Sequence, residues 1–158
     1  DETRQDYVTV VEEKNGYKLN INNYVGRENP NKVTKKNDVV VTVTQIDTYM
    51  DYKIYNLYVE NNSEDTIVMD LNSDIKSIYL LDKNDQKSYS FNNDTDQNKF
   101  VVKSKFKNNI KMRFNNSYSS TRKMKSIVFS KFISDYDEYS KLENKSDYSN
   151  WTELKIQI

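Results

Sequence analysis

Residues 49–82 read YMDYKIYNLYVENNSEDTIVMDLNSDIKSIYLLD, and the fold turns on them. Tyr55, Leu57 and Val59 alternate with Ile54, Asn56, Tyr58 and Glu60, the period of two that a half-buried strand requires. Asn61-Asn62-Ser63-Glu64-Asp65 then interrupts the alternation, because Asn, Asp and Ser side chains bond their own backbone and so favour a turn. Ile67, Met69 and Leu71 restart it, and Ile78, Leu80 and Leu81 supply a third apolar run that Asp82-Lys83-Asn84-Asp85 closes before Tyr89 and Phe91. This order predicts an antiparallel meander, with Tyr55, Leu57 and Val59 facing a core between two sheets.

Upstream of that stretch, Val39, Val41 and Val43 open a central strand whose other face carries Val40, Thr42, Thr44 and Ile46, so both sides suit a sandwich interior. Val8 and Val10 lead into Asn15-Gly16, and Tyr17, Leu19 and Ile21 leave it on strict alternation. That pattern predicts a hairpin with a tight turn at Asn15-Gly16 and Val10 opposite Ile21. Residues 26–37, with Pro30 among polar neighbours, read as a loop, and residues 1–6 as a polar tether.

Downstream, residues 92–98 are a polar loop, and three further strands carry Phe100, Val102 and Phe106, then Ile110, Met112 and Phe114, then Ile127, Val128 and Phe129. Ser134 with Asp137 resembles a capping box, and Tyr136, Tyr139 and Leu142 recur every third residue, which predicts a short helix. Trp151, Leu154, Ile156 and Ile158 form a last strand. The expectation is an all-β, immunoglobulin-like antiparallel β-sandwich with an N-terminal hairpin and one short helical segment near 134–145, a single domain over residues 7–158.

Composition limits the chemistry. At 158 residues the chain fits one domain, and Val, Ile, Leu and Phe exceed the roughly 20% below which disorder is expected, although all hydrophobic residues together reach only 35%. Part of the core must come from the 13 Tyr, which bury a ring and leave a hydroxyl to be satisfied. Asn, Lys, Tyr and Ile are abundant while Ala is absent and Gly numbers only 2, the mark of AT-rich codons, so Asn or Tyr richness alone argues weakly for a glycan or nucleic-acid site. Cys 0 and His 0 remove disulfides, thiolate or imidazole metal ligands, a His-based triad and a Cys nucleophile. No catalysis and no cofactor are expected.

Asp94, Asp96 and Asn98 place oxygens at the first, third and fifth positions of a calcium loop, but Lys99 stands where Gly must turn and Lys105 where a bidentate Glu must close, so a solvated loop is expected. The Asn-x-Ser/Thr triplets at Asn61, Asn93, Asn115, Asn144 and Asn150 are expected by chance in so Asn-rich a chain. No run approaches the roughly 18 apolar residues of a membrane span, and no signal segment opens the chain, so any export signal or anchor is expected outside these residues.

The runs VVVTVTQI, YKIYNLYVENNSEDTIVMDL, SIYLLDKNDQKSY and IKMRFNNSYSSTRKMKSIVF, spanning about Val39 to Ser130, resemble the immunoglobulin-like domains of Gram-positive surface lipoproteins and membrane-anchored proteins, and a secreted immunoprotective-antigen β-sandwich. The shared marks are the Asn61-Asn62-Ser63 turn, the Leu80-x-Asp82 turn leading to Tyr89, and the strand Lys125 to Phe129. The family's Gly in the second turn is absent, and the N-terminal hairpin and residues 134–145 are extra. The resemblance implies an extracellular, cell-surface anchored domain with no catalytic residues to carry over: a binding or display module, or alternatively a structural spacer of a larger anchored protein, with a carboxylate hydrolase behind both.

Charge distribution supplies the candidate site. Residues 97–134 hold ten Lys or Arg and no acid, whereas the chain before them and residues 135–147 are net acidic, so a formal net charge of +0 conceals a dipole of sequence. Alternation predicts Lys103, Lys105, Lys107, Lys111 and Arg113 on one outer face, with Arg122, Lys123 and Lys125 completing a basic set. The plain reading is edge protection by Lys, or a stripe neutralised by the protein's own acids. The functional reading is a face for an anionic cell-wall polymer, an acidic glycan, anionic headgroups or another envelope protein, with membrane contact otherwise only through an anchor. Nucleic acid is not expected, because Phe100, Phe106 and Phe114 are predicted to face inward and so to be unavailable for stacking.

Overall fold

A computed structural model describes residues 8–20, 23–71, 76–90 and 100–158. Two antiparallel sheets face each other across one core. The first is built on β5 (Val39–Tyr49) and β6 (Lys53–Asn61), whose inward Val39, Val41, Val43, Tyr55, Leu57 and Val59 are all at most 4% exposed. Each such side chain contributes about 1.5–3 kcal/mol by leaving water. The alternation breaks once in β5: the register shifts between Val43 and Gln45, a bulge at Thr44, so the next inward residue is Ile46 rather than Gln45.

β11 (Lys107–Phe114) pairs with the free edge of β6 and buries Ile110, Met112 and Phe114. The other edge of β5 carries two short strands end to end, β3 (Tyr24–Glu28) along its second half and β4 (Lys32–Lys36) along its first. The loop expected over 26–37 is thereby corrected to parts of two strands. As edge strands they bury little, with Val25 and Val33 exposed, so backbone pairing to β5 holds them and apolar alternation does not announce them.

The second sheet has β12 (Met124–Phe132) at its centre, between β8 (Ile78–Asp82), with β9 (Lys87–Tyr89) beyond, and β13 (Thr152–Gln157). Ile78, Leu80, Ile127, Phe129, Phe132, Leu154 and Ile156 complete the core. β13 approaches β4, where the Gln157 N–H donates to Thr34 Oγ1 at 3.1 Å, and Ser90 bridges Phe114 on the opposite flank.

The meander expected over residues 49–82 does not form. β6 and β8 lie in different sheets, and the strand between them, β7 (Ile67–Val68), pairs with β10 (Val101–Val102) in a two-stranded piece of its own. Ile67, Val68, Met69 and Asp70 are buried in succession, the pattern of a segment crossing between sheets rather than lining one.

Beyond β12, α1 (Tyr136–Lys141) is capped by Asp135, whose carboxylate accepts from the Glu138 N–H at 2.9 Å, one residue on from the expected Ser134. Tyr136, Tyr139, Tyr148, Trp151 and Leu142 pack with Val68 and Ile133 to close that end of the sandwich. The N-terminal hairpin joins β1 (Thr9–Glu13) to β2 (Gly16–Asn20), but its turn is Lys14-Asn15, with Gly16 at φ +128 opening β2. Val10 therefore faces Leu19, correcting the pairing with Ile21, which lies outside the described residues, as do Phe91 and residues 94–99 of the calcium-like loop.

Candidate functional site

The basic segment is divided among three places in the fold. Lys103 and Lys105 are not on a strand. Lys103 to Phe106 make a turn closed by the Phe106 N–H to the Lys103 carbonyl at 3.1 Å, with Lys105 at φ +60. The turn is clamped to the one after β6: Asn61, 1% exposed, donates to the carbonyls of Asp65 (2.7 Å) and Val102 (3.0 Å) and accepts from Ser63 N–H (3.1 Å) and Oγ (2.6 Å). Ser104 Oγ donates to the Ser63 carbonyl at 2.9 Å, and Lys105 Nζ reaches the Asn62 carbonyl (2.7 Å) and Glu64 (2.6 Å). The Asn-Asn-Ser run is thus a structural pin, and Asn61 is no surface acceptor for a glycan.

Phe106 is 62% exposed, which corrects the inward placement expected of it; Phe100 and Phe114 are fully buried. The ground for setting nucleic acid aside therefore rests on those two rings alone.

Lys107, Lys111 and Arg113 do share the outer face of β11, exposed while Asn108, Ile110, Met112 and Phe114 turn inward. Lys107 Nζ lies 2.9 Å from Glu60, opposite it on β6, and that hydrogen bond holds the ammonium above the usual lysine range. The Arg113 guanidinium stacks 3.8 Å from the Tyr52 ring centroid, Tyr52 stacks on Tyr49 at 4.5 Å, and Tyr49 meets Tyr24 edge-on at 5.4 Å. Sequence reasoning missed that aromatic row, because its rings come from β3, the end of β5 and the turn before β6.

Arg122, Lys123 and Lys125 lie at the far end of the sandwich. Arg122 Nε donates to Asp82 at 2.9 Å, Nη1 to Ser88 Oγ at 2.9 Å and Nη2 to the Gln86 carbonyl at 3.1 Å. Asp82, 2% exposed, also accepts the N–H groups of Asn84 and Gln86, and the Arg122 hydrogen bond first, then these backbone donors, hold its carboxyl below the usual range. Lys125 pairs with Asp85 at 2.6 Å and lowers that carboxyl likewise.

A second feature that sequence reasoning missed lies beside Arg122 and Lys123. A cleft of about 550 Å³ opens between the sheets where β6 and β12 begin, opposite the end that α1 closes. Ile46 and Met124 give it apolar wall, Glu28, Lys53 and Lys123 stand around it, and Tyr55 and Asn116 line it. Burial, and secondarily Glu28, push the Tyr55 hydroxyl above its ordinary range, so it is a neutral donor.

No family model matches the chain. No curated protein matches it either. Among solved structures the chain is similar to the yjhA protein from Bacillus subtilis, at 18% identity and a TM-score of 0.44, over 63% of this chain and 77% of that one. A likeness at that level carries no step of the functional argument.

Proposed function

We propose that this is an exported, cell-surface anchored β-sandwich without catalytic activity, of the immunoglobulin-like kind seen in Gram-positive surface lipoproteins, that binds an anionic envelope polymer through the outer face of β11. The observation that carries the reading is the row Lys107, Lys111 and Arg113 on one exposed edge-strand face. Alternate residues of a strand stand about 7 Å apart, so the row spans roughly 20 Å and suits a linear polyanion better than a single small anion. Glu60 offsets one charge, yet exposed ion pairs are worth only about 0–1 kcal/mol and exchange readily for another anion.

Poly(glycerol phosphate) at low salt is the probe. The protein should bind it, and Lys107→Gln with Lys111→Glu should abolish binding while the melting temperature holds, since exposed substitutions shift stability by no more than about 0.5 kcal/mol each. A wild type that fails to bind at low salt, or a double variant that binds equally, overturns the reading. One observation favours a structural spacer instead: Lys105, Lys107, Arg122 and Lys125 are already paired with Glu64, Glu60, Asp82 and Asp85. A spacer would show no polyanion binding at any salt.

A further inference from the structure

The end cleft has properties that packing alone does not require. Tyr55 and Asn116 are 2% and 7% exposed as whole residues, and both line the cleft; among the described residues the side-chain polar atoms sealed off without a partner are instead Asn56 Nδ2 and Ser126 Oγ. No protein group is hydrogen-bonded to the Tyr55 hydroxyl or the Asn116 amide among the described residues, so their partner is whatever fills the cleft, water or a ligand. Both groups line the same cleft of about 550 Å³, within the size range of small-molecule sites; its lining is mainly polar, with Ile46, Met124 and Ile158 as the apolar part and Glu28 as the acid among three cations. Lys53 and Lys123 line it too, and neither has an ion-pair partner among the described residues. Arg122, by contrast, is held by Asp82, Ser88 and the Gln86 carbonyl, so the ammonium groups are the mobile positive charges of the site.

We propose that this cleft binds a small organic oxyanion, a carboxylate or phosphate monoester on a short apolar body. The oxyanion takes hydrogen bonds from the Tyr55 hydroxyl and the Asn116 amide and the charges of Lys53 and Lys123, while the body lies on Ile46 and Met124. Charge-assisted hydrogen bonds of this kind are about twice as strong as neutral ones, and they strengthen further where water is excluded. Tyr55 suits the donor role because burial and the nearby Glu28 keep its hydroxyl protonated. The ligand is a free small molecule rather than a lipid headgroup, because donors as buried as Tyr55 and Asn116 are beyond the reach of a flat vesicle surface. This site is separate from the β11 face and stands whether or not that face binds polymer.

The test is an amide-detected NMR titration of the intact chain with hexanoate, hexyl phosphate and, as an uncharged control, hexanol. Saturable shifts are expected at the Asn116 side-chain amide and at the backbone of Lys123 and Met124 with hexanoate or hexyl phosphate in the millimolar range, and none with hexanol or phosphatidylglycerol vesicles. Lys53→Met combined with Lys123→Met keeps the aliphatic stems and should weaken binding by about tenfold or more. Lys107→Gln with Lys111→Glu should leave these shifts unchanged, which separates this proposal from polymer binding. No saturable shift with either anion, equal binding by the lysine variant, or equal binding of hexanol overturns it. Asn116→Ser serves as a second variant, judged only if its melting temperature shows it folded; unaltered affinity in that variant and in Tyr55→Phe likewise overturns it.

Discussion

At the scale of single residues, the polar positions explain more of this fold than their exposure would suggest. Asn61 makes hydrogen bonds to two turns at once from a fully buried site, so Asn61→Ala should cost about 2–4 kcal/mol in urea denaturation, the sum of lost bonds and orphaned carbonyls. Leu57→Ala should cost about 2–5 kcal/mol through lost burial and the cavity left behind, and a loss under 1 kcal/mol would contradict its place in the core. Asp82 adds a pH dependence. Its carboxyl is held below the ordinary 3.8, so the stability it contributes is present above that value and is lost as pH falls through the lower folded value. Melting followed from pH 5 to pH 2 should therefore fall more steeply for the wild type than for Asp82→Asn; parallel curves would show that the Arg122 contact does not favour the charged form. The turn at Asn61 was legible in the sequence as a turn, but its role as a pin was not, since its partners Val102 and Ser104 lie some forty residues away.

At the scale of elements, legibility follows burial. The strands that line the core on both sides of residue 57 were readable because one apolar face must alternate, and β5, β6, β11 and β12 all fall where the pattern puts them. Edge strands answer to the backbone of a neighbour instead, which is why residues 26–37 carry no apolar alternation although they hold part of β3 and all of β4. Connectivity failed for a related reason. Alternation tells which residues face inward but not which of two sheets a strand joins, so β6 and β8 were placed side by side when they face each other. The hairpin of β1 and β2 shows the opposite imbalance, a strong local signal with little tertiary support: Val8, Val10, Tyr17 and Leu19 remain 55–72% exposed. An isolated two-stranded hairpin is marginal in water, so its amides should exchange with solvent near the rate of an unfolded chain, while those of β5 and β6 exchange only on global opening. Equal protection in both would mean that the hairpin is covered in solution.

At the scale of the whole molecule, the charge dipole of the sequence is not the charge dipole of the fold. Ten cations fall within residues 97–134, yet the chain folds back so that Glu60 and Glu64 meet Lys107 and Lys105, and Asp82 and Asp85 meet Arg122 and Lys125. The acids that pair with these cations come from the turn regions of β6 and β8, because pairing across the sheets brings those ends alongside. Neutralisation was thus foreseeable in principle and its source was not, since it depends on register. This distinction is measurable. The slope of log affinity against log salt reports the number of counterions released, slightly less than one per neutralised charge. If the sequence dipole governed binding, the eight cations from Lys103 to Lys125 would give poly(glycerol phosphate) a slope of about −5 to −7 on that relation. With Lys105, Lys107, Arg122 and Lys125 answered by acids and Arg113 stacked on Tyr52, the expected slope is about −2 to −3, most of it from Lys103 and Lys111. Glu60→Gln and Glu64→Gln should each steepen it by about one, because each frees a lysine on the same side of the molecule. A slope near −6 in the wild type, or no change on removing either glutamate, would mean that the internal pairs do not persist in solution and that the full basic segment faces its partner.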